Sequence, residues 1–142
     1  MNELVIGFTC SAFDLFHAGH VLMLEQCKAQ CDYMIVGLQT DPTIDRPQKN
    51  KPIQSVFERA AQLDGCRWVD KIIPYETELD LLNMLSTLPI NKRFIGSEYK
   101  DLYIHGKDIC DFRNIEIVFL DRLHTYSSSE LRKRVFENES YK

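Results

Sequence analysis

Several features that mark a specialised class of protein are scarce in this 142-residue chain. Its 6 glycines and 5 prolines are too few for a fibrous repeat or a long disordered tract. No apolar run approaches the roughly 18 residues of a membrane-spanning helix. The five cysteines, odd in number and scattered through apolar segments, do not suggest a disulfide framework. We therefore expect one globular domain over residues 1–142, in a reducing cytoplasm.

The chain also has no excess of basic residues. Lysine and arginine total 17 against 21 acidic residues, which gives a formal net charge of −4. This balance does not favour nucleic acid or an acidic membrane surface as a partner. Any site for an anionic ligand must therefore be built locally.

Short apolar runs alternate with segments of helical spacing along the whole chain. The runs are typical of strands that are buried on both faces. Strands joined by helices imply parallel pairing and right-handed crossovers, so we predict an α/β fold: a single Rossmann-like doubly wound domain with a five-stranded parallel sheet. The predicted strands cover residues 4–10, 33–38, 71–73, 93–96 and 115–120, and the predicted helices begin near residues 20, 56, 78 and 128.

The stretch FDLFHAGH follows the first predicted strand. In doubly wound sheets ligands bind beyond the carboxyl ends of the strands. A helix that begins near His20 presents free backbone N–H groups to an anion, and Gly19 would let a phosphate approach the backbone. His17 and His20 can each donate a ring N–H to phosphate oxygens. Two such donors suit a phosphoryl group that is undergoing in-line displacement.

A second hydroxyl-rich segment precedes the last predicted helix. Ser127 followed three residues later by Glu130 fits a capping box, which is a purely structural role. The same segment brings three serine hydroxyls and fresh backbone donors to a helix N-terminus, which suits a phosphate group. Both roles can coexist.

These motifs give the chain its family resemblance. FDLFHAGH resembles the signature of the HxGH nucleotidyltransferase superfamily, and the chain is most similar to small cytidylyltransferases of the glycerol-3-phosphate cytidylyltransferase type. The likeness extends over nearly the whole chain. It is carried by HAGH, GLQTD, KNKP, FERAAQL, RWVDKIIP, FIGSEY and RLHTYSSSELRKR.

The resemblance implies transfer of CMP from CTP to a small phosphorylated alcohol, with glycerol 3-phosphate favoured and pyrophosphate released. It implies Mg²⁺ with the triphosphate but no protein metal ligand, and a homodimer. The catalytic residues would be His17, His20, Lys51 and Arg122. The nucleotide-binding residues would be Thr9, Cys10, Ser11, Ala12, Phe13, Asp14, Gly19, Lys49, Gly96, Glu98, Tyr126, Ser127, Ser128 and Ser129. The acceptor would contact Asp41, Arg59 and Arg67.

The sequence departs from the family pattern at several of these positions. Ser11 and Ala12 stand where a Gly-Thr pair is usual, and Glu98 lies in a GSE run that replaces a Gly-Asp-Asp type element. Residues 123–126 also differ. Two alternatives therefore stay open: an adenylyltransferase of the same superfamily, and a non-catalytic nucleotide-binding module.

Overall fold

Five parallel strands in the order β3-β2-β1-β4-β5 form a single sheet, which confirms the predicted α/β architecture. The computed structural model describes residues 3–140, so positions 1, 2, 141 and 142 of the predicted domain lie outside the described residues. The strands are β1 (Ile6–Ser11), β2 (Tyr33–Gln39), β3 (Lys71–Tyr75), β4 (Lys92–Gly96) and β5 (Glu116–Leu120). The helices are α1 (Ala18–Lys28), α2 (Val56–Asp64), α3 (Glu78–Thr87), α4 (Lys107–Phe112) and α5 (Ser128–Ser140).

Each face of the sheet buries its own apolar core. On one face, Leu24 of α1 and Leu63 of α2 pack with Phe94 of β4. On the other face, Leu85 of α3 and Cys110 of α4 pack with Phe8 of β1. Successive residues of a strand point to opposite faces, and here both faces are covered by helices. The strands are therefore continuous apolar runs.

Local sequence signals place the ends of several helices. The Ser55 hydroxyl accepts a bond from the backbone N–H of Glu58, whose carboxylate accepts one from the N–H of Ser55. This capping box begins α2, and Gly65 follows its last residue, as the sequence predicts. The 3-10 helix at Ser97–Tyr99 and the six-residue α4 were not predicted. Both are too short to show an apolar period.

Strand β1 lies between β2 and β4, so the chain connections diverge on either side of its carboxyl end. Such a switch point opens a crevice above the sheet. The HAGH segment begins six residues after the end of β1 and enters α1 there. None of the helices within residues 3–140 is long and apolar enough to cross a membrane.

Candidate active site

A cavity of about 840 Å³ lies above the carboxyl ends of the strands. It receives residues from the ends of β1, β2, β4 and β5 and from the N-termini of α1 and α5. Most of the residues predicted from sequence to be catalytic or to bind nucleotide line it. These are Thr9, Cys10, Ser11, Ala12, His17, Gly19, His20, Lys49, Gly96, Glu98, Arg122, Tyr126, Ser127 and Ser128.

The two histidines of HAGH are held by the backbone of their own segment. His17 is the N-cap of α1, and its Nδ1 accepts a bond of 3.0 Å from the N–H of Gly19. The N–H of His17 donates in turn to Nδ1 of His20 over 3.1 Å. The two ring centroids are 3.9 Å apart, and the His20 ring stacks on Phe16. The spacing of the motif therefore forms a reciprocal cap made of two imidazoles.

This cap determines the chemistry of both rings. Because each Nδ1 accepts a bond, the proton of each neutral ring lies on Nε2, which remains available as a donor. Burial, followed by the neighbouring His17, lowers the pKa of His20 to about 3. Burial also lowers the pKa of His17, and His124 and Arg122 lower it further. At neutral pH the pair is neutral and offers two N–H donors at the mouth of α1.

The loop between β1 and α1 is strained on both sides of Asp14. Phe13 and Leu15 have φ angles of 51° and 53°, in the left-handed region that residues with a Cβ rarely adopt. Burial holds Phe13 in place, and the Leu15 N–H donates to Oε1 of Gln54. Strain of this kind is characteristic of functional loops that the surrounding structure fixes.

Asp14 anchors this loop to two other segments. Its buried carboxylate accepts bonds from the N–H groups of Ile53 and Gln54 and pairs with Arg132 of α5 at 2.6 Å. Burial alone would raise the pKa of Asp14, but these bonds outweigh burial and hold it below its usual value. The Ser128 hydroxyl donates to the Asp14 carbonyl. Phe13 and Asp14 were predicted to contact the nucleotide, but neither lines the cavity. In this structure they position the loop between β1 and α1.

The N-terminus of α5 closes another side of the cavity. The Ser127 hydroxyl accepts a bond from the N–H of Glu130, so the predicted cap is present in that direction. This bond uses only the oxygen of the Ser127 hydroxyl, so its proton can still be donated to a ligand. Arg122 is exposed and donates from Nη2 to the Tyr126 carbonyl. The structure brings Arg122, Tyr126, Ser127 and Ser128 to the cavity, whereas Ser129 is exposed and lies outside its lining.

The end of β4 brings a carboxylate to the cavity wall. The Glu98 carboxylate folds back against Gly96, into the space that a Cβ at residue 96 would occupy. A side chain at residue 96 would therefore displace the Glu98 carboxylate from this position. Thr9 also lines the cavity, but its hydroxyl donates to the Phe94 carbonyl. Burial raises the pKa of the Cys10 thiol, which therefore remains protonated at neutral pH.

The two lysines of the basic loop KNKP (residues 49–52) lie in two different sites. Lys49 lines the main cavity, whereas Lys51 lines a neighbouring depression of about 370 Å³ together with Asp41 and Arg59. The Asp41 carboxylate is engaged by Thr43, whose side chain and N–H both donate to it. The structure thus separates Lys51 and Asp41 from the histidine pair.

The two arginines that were predicted to bind the acceptor lie elsewhere. Arg59 is 2% exposed, and its guanidinium donates to the carbonyls of Ala12, Gln39 and Thr40. Its Nε donates to the carbonyls of Gln54 and Ser55, just before α2. It joins the ends of β1 and β2. Arg67 is exposed over the Trp68 ring at 4.6 Å and precedes β3, at the amino edge of the sheet. This geometry corrects both assignments: one side chain is used by backbone carbonyls, and the other lies at the wrong end of the sheet.

His124 is a cavity residue that the sequence reasoning assigned to no role. Its ring stacks on Tyr126, and its Nδ1 accepts the Tyr126 N–H over 3.0 Å. A Cβ at residue 19 would lie 2.7 Å from its Cε1, so the ring sits directly above Gly19. His124 thus has the same free Nε2 as the HAGH pair. Its position three residues before Ser127, inside the hydroxyl-rich motif, is the signal that could have found it.

The fold and this arrangement of groups define a class of protein. A doubly wound sheet with an HxGH cap, a basic loop and a serine-rich helix start around one cavity is the arrangement of a nucleotidyltransferase. The chain belongs to the cytidylyltransferase-like family, whose sequence pattern matches residues 8–134.

Individual relatives agree with this class. Over 130 residues the chain is 33% identical to the bifunctional protein HldE of Nitrobacter hamburgensis, covering 91% of this chain and 26% of that protein. HldE of Campylobacter jejuni is 31% identical over 137 residues, or 94% of this chain and 28% of the relative. The chain therefore spans little more than a quarter of the length of these relatives.

Solved structures support the fold. A lipopolysaccharide core biosynthesis protein from Thermoplasma volcanium matches with a TM-score of 0.66 at 21% identity, covering 88% of this chain and 100% of that one. Pantothenate synthetase from Thermus thermophilus matches with a TM-score of 0.61 at 14% identity, over 92% of this chain and 64% of that one. At these identities the matches concern the architecture alone.

Proposed function

We propose that this nucleotidyltransferase transfers CMP from CTP to the phosphate of a small phosphorylated alcohol, with glycerol 3-phosphate as the first acceptor to test. The acceptor phosphate oxygen attacks the α-phosphorus of CTP, the bond to the β-phosphate oxygen breaks, and pyrophosphate leaves. The observation that carries the proposal is the reciprocal cap of His17 and His20, which leaves two neutral Nε2–H donors beside the N-terminus of α1.

The cavity residues would share the charge that moves during the displacement. The histidine pair and the helix start would bind oxygens of the α- and β-phosphates, because fixed donors stabilise charge without having to reorganise. Arg122 and the α5 start, with the Ser127 hydroxyl, would hold the leaving pyrophosphate. Lys49 lies in the cavity already, and Lys51 would reach it only if the loop moves. No covalent enzyme intermediate is required.

Mg²⁺ would accompany the triphosphate and neutralise part of its charge. Within residues 3–140, no three side chains of His, Cys, Asp or Glu are grouped so that they could hold a metal ion. This donor set fits an ion held mainly by phosphate oxygens and water, which is the usual mode for magnesium with nucleotides. The protein's own contribution would be to orient those oxygens.

Glu98 supports the choice of base. A carboxylate accepts a hydrogen bond from the exocyclic amino group of cytosine or adenine and finds only an oxygen on the corresponding carbon of uracil. We therefore expect CTP to be used far better than UTP, and ATP is the competitor that the experiment has to separate. In a Glu98→Gln variant the preference of CTP over UTP should shrink.

The deciding experiment is pyrophosphate release with Mg²⁺, in which CTP, ATP, GTP and UTP are each paired with a panel of phosphorylated alcohols. CTP-dependent release with one acceptor supports the proposal. Release with ATP alone would make the chain an adenylyltransferase. Tight nucleotide binding without release from any pair would support the non-catalytic alternative. The expected homodimer is a separate proposal, which sedimentation equilibrium tests.

A further inference from the structure

The cavity continues from the histidine pair to a second polar region on the α3/α4 face of the sheet. Its side chains come from five separate segments of the chain. Gln39 ends β2, Arg46 lies in the loop that follows, Glu78 begins α3, Arg93 lies on β4, and His105 precedes α4. None of these five residues was predicted from the sequence to bind a ligand, although Gln39 lies in the GLQTD motif. We call them the α3/α4 cluster.

Contacts within the cluster fix the Glu78 carboxylate between two partners. Arg46 donates from Nη2 to Oε1 of Gln39 over 3.1 Å and lies 3.3 Å from Oε1 of Glu78. Nε2 of His105 lies 3.9 Å from the other carboxylate oxygen and 3.3 Å from the Glu78 carbonyl. The group is therefore organised before any ligand binds.

The cluster contains one more cation than its carboxylate can balance. Arg93 is 6% exposed and has no carboxylate partner within residues 3–140. Its Nη1 donates to the His105 carbonyl and contacts the Cys110 thiol. Nε of Arg46 is also buried without a hydrogen-bond partner. Buried charges are normally paired, because desolvation of an unpaired charge is costly. Arg93, a buried cation without a carboxylate partner among the described residues, lines an open cavity and can therefore pair with an anionic ligand.

We propose that the α3/α4 cluster binds the acceptor and selects a phosphorylated polyol, of the glycerol phosphate or sugar phosphate class. Arg46 and Arg93 supply the attraction for the anionic group, and the Glu78 carboxylate and the His105 ring bond its hydroxyls. This inference rests on the proposed function for the identity of the reaction, but the binding site does not depend on turnover.

The same charges argue against acceptors that carry an ammonium group. Phosphocholine and phosphoethanolamine would place a cation beside two guanidinium groups. The cluster therefore selects hydroxyls over an ammonium group.

Isothermal titration calorimetry on the full chain tests this directly. The probes are sn-glycerol 3-phosphate, two sugar phosphates and phosphocholine, each added to protein that is free of nucleotide or saturated with Mg²⁺ and α,β-methylene-CTP, which cannot release pyrophosphate. We expect wild-type protein to bind at least one polyol phosphate and to bind phosphocholine at least tenfold more weakly. Arg46→Gln should weaken polyol phosphate binding by tenfold or more, while CTP binding changes less than twofold. Exposed Arg134 on α5 provides the matched control, because Arg134→Gln should leave both affinities unchanged.

Equal polyol phosphate binding by Arg46→Gln and wild type would overturn the proposal, as would a preference for phosphocholine or the absence of any binding from the panel. Glu78→Ala offers a second variant: it removes the acceptor for the hydroxyls and keeps both arginines, so the preference for polyol phosphates over inorganic phosphate should shrink. The melting temperature of each variant shows that it is folded. Failure of the proposed function gives a different pattern: polyol phosphates bind through Arg46, yet no nucleotide yields pyrophosphate. Failure of the acceptor site leaves nucleotide binding intact and removes only the Arg46 dependence.

Discussion

The two ends of the cavity are built by different means. At the α1/α5 end, the groups that face the cavity come from short segments, and backbone bonds fix them: Nδ1 of His17 and of His20 each accept an N–H from a residue two or three positions away. At the α3/α4 end, Arg46 and Glu78 lie 32 positions apart in sequence and meet only after the sheet forms. The first end offers neutral imidazole donors beside the exposed Arg122, and the second offers a buried arginine without a carboxylate partner among the described residues.

This difference suits the α1/α5 end to the triphosphate and the α3/α4 end to the acceptor. Neutral donors held by the backbone suit the triphosphate, whose charge shifts from one oxygen to another during the reaction. A charged cluster that waits for an anion suits a substrate that must be selected. The site can therefore keep one chemistry at α1 while side chains at α3 and α4 choose the acceptor.

The largest effect should follow from removing the residue that joins the ends of β1 and β2. Arg59→Met leaves the carbonyls of Ala12, Gln39 and Thr40 without their donor, and each buried unsatisfied group costs about 1–3 kcal/mol. We expect a loss of about 3–5 kcal/mol in the free energy of unfolding, measured by urea denaturation. Arg67→Met is the matched control and should cost less than about 1 kcal/mol, since Arg67 is exposed over Trp68. Equal losses in both variants would contradict the structural role of Arg59.

Removal of either imidazole should break the α1/α5 end alone. His17→Ala and His20→Ala each delete a fixed donor, so kcat should fall by a factor of about 100 or more, equivalent to about 3 kcal/mol. Binding of the acceptor, measured by calorimetry, should change little in either variant. His20→Gln restores an N–H donor and should recover part of the rate. Near-normal turnover in both alanine variants would remove the pair from the mechanism.

The contrast between the two ends also explains what could be predicted from sequence. Alternating apolar runs revealed the sheet, and FDLFHAGH and SSSE revealed the α1/α5 end, because each signal lies within a few residues. Arg59 was misassigned because its partners are backbone carbonyls. Every residue has such a carbonyl, so the sequence gives no sign of which ones a buried arginine will bind. The contacts of the α3/α4 cluster form only when the strands that precede or carry Arg46, Glu78 and Arg93 are in register. Because these residues are single positions in separate segments, they give no local sequence pattern. The six-residue α4 was missed because it is too short to show an apolar period.

The pH dependence of stability tests the neutral state of the histidine pair. The pKa of His20 is about 3 in the folded protein and near 6.5 when it is unfolded. Its contribution is fully present above pH 6.5, and it is lost as the pH falls, since only the unfolded state then takes up the proton. Between pH 6.5 and pH 5 this lowers the free energy of unfolding by about 1.6 kcal/mol. Denaturant titrations across this range should show a shallower slope for His20→Gln. An unchanged slope would mean that His20 is protonated in the native state.

The smallest expected effect concerns the third imidazole. His124 lies above Gly19, and its Nδ1 is engaged by the Tyr126 N–H, which leaves Nε2 as a donor toward the same phosphates. His124→Phe keeps a flat ring against Tyr126 but removes that donor, so the nucleotide KM should rise by about 3- to 10-fold, the worth of one hydrogen bond. The acceptor affinity should stay constant, because His124 belongs to the α1/α5 end. If the KM for the acceptor rose instead, the division of the cavity into a nucleotide end and an acceptor end would be wrong at this residue.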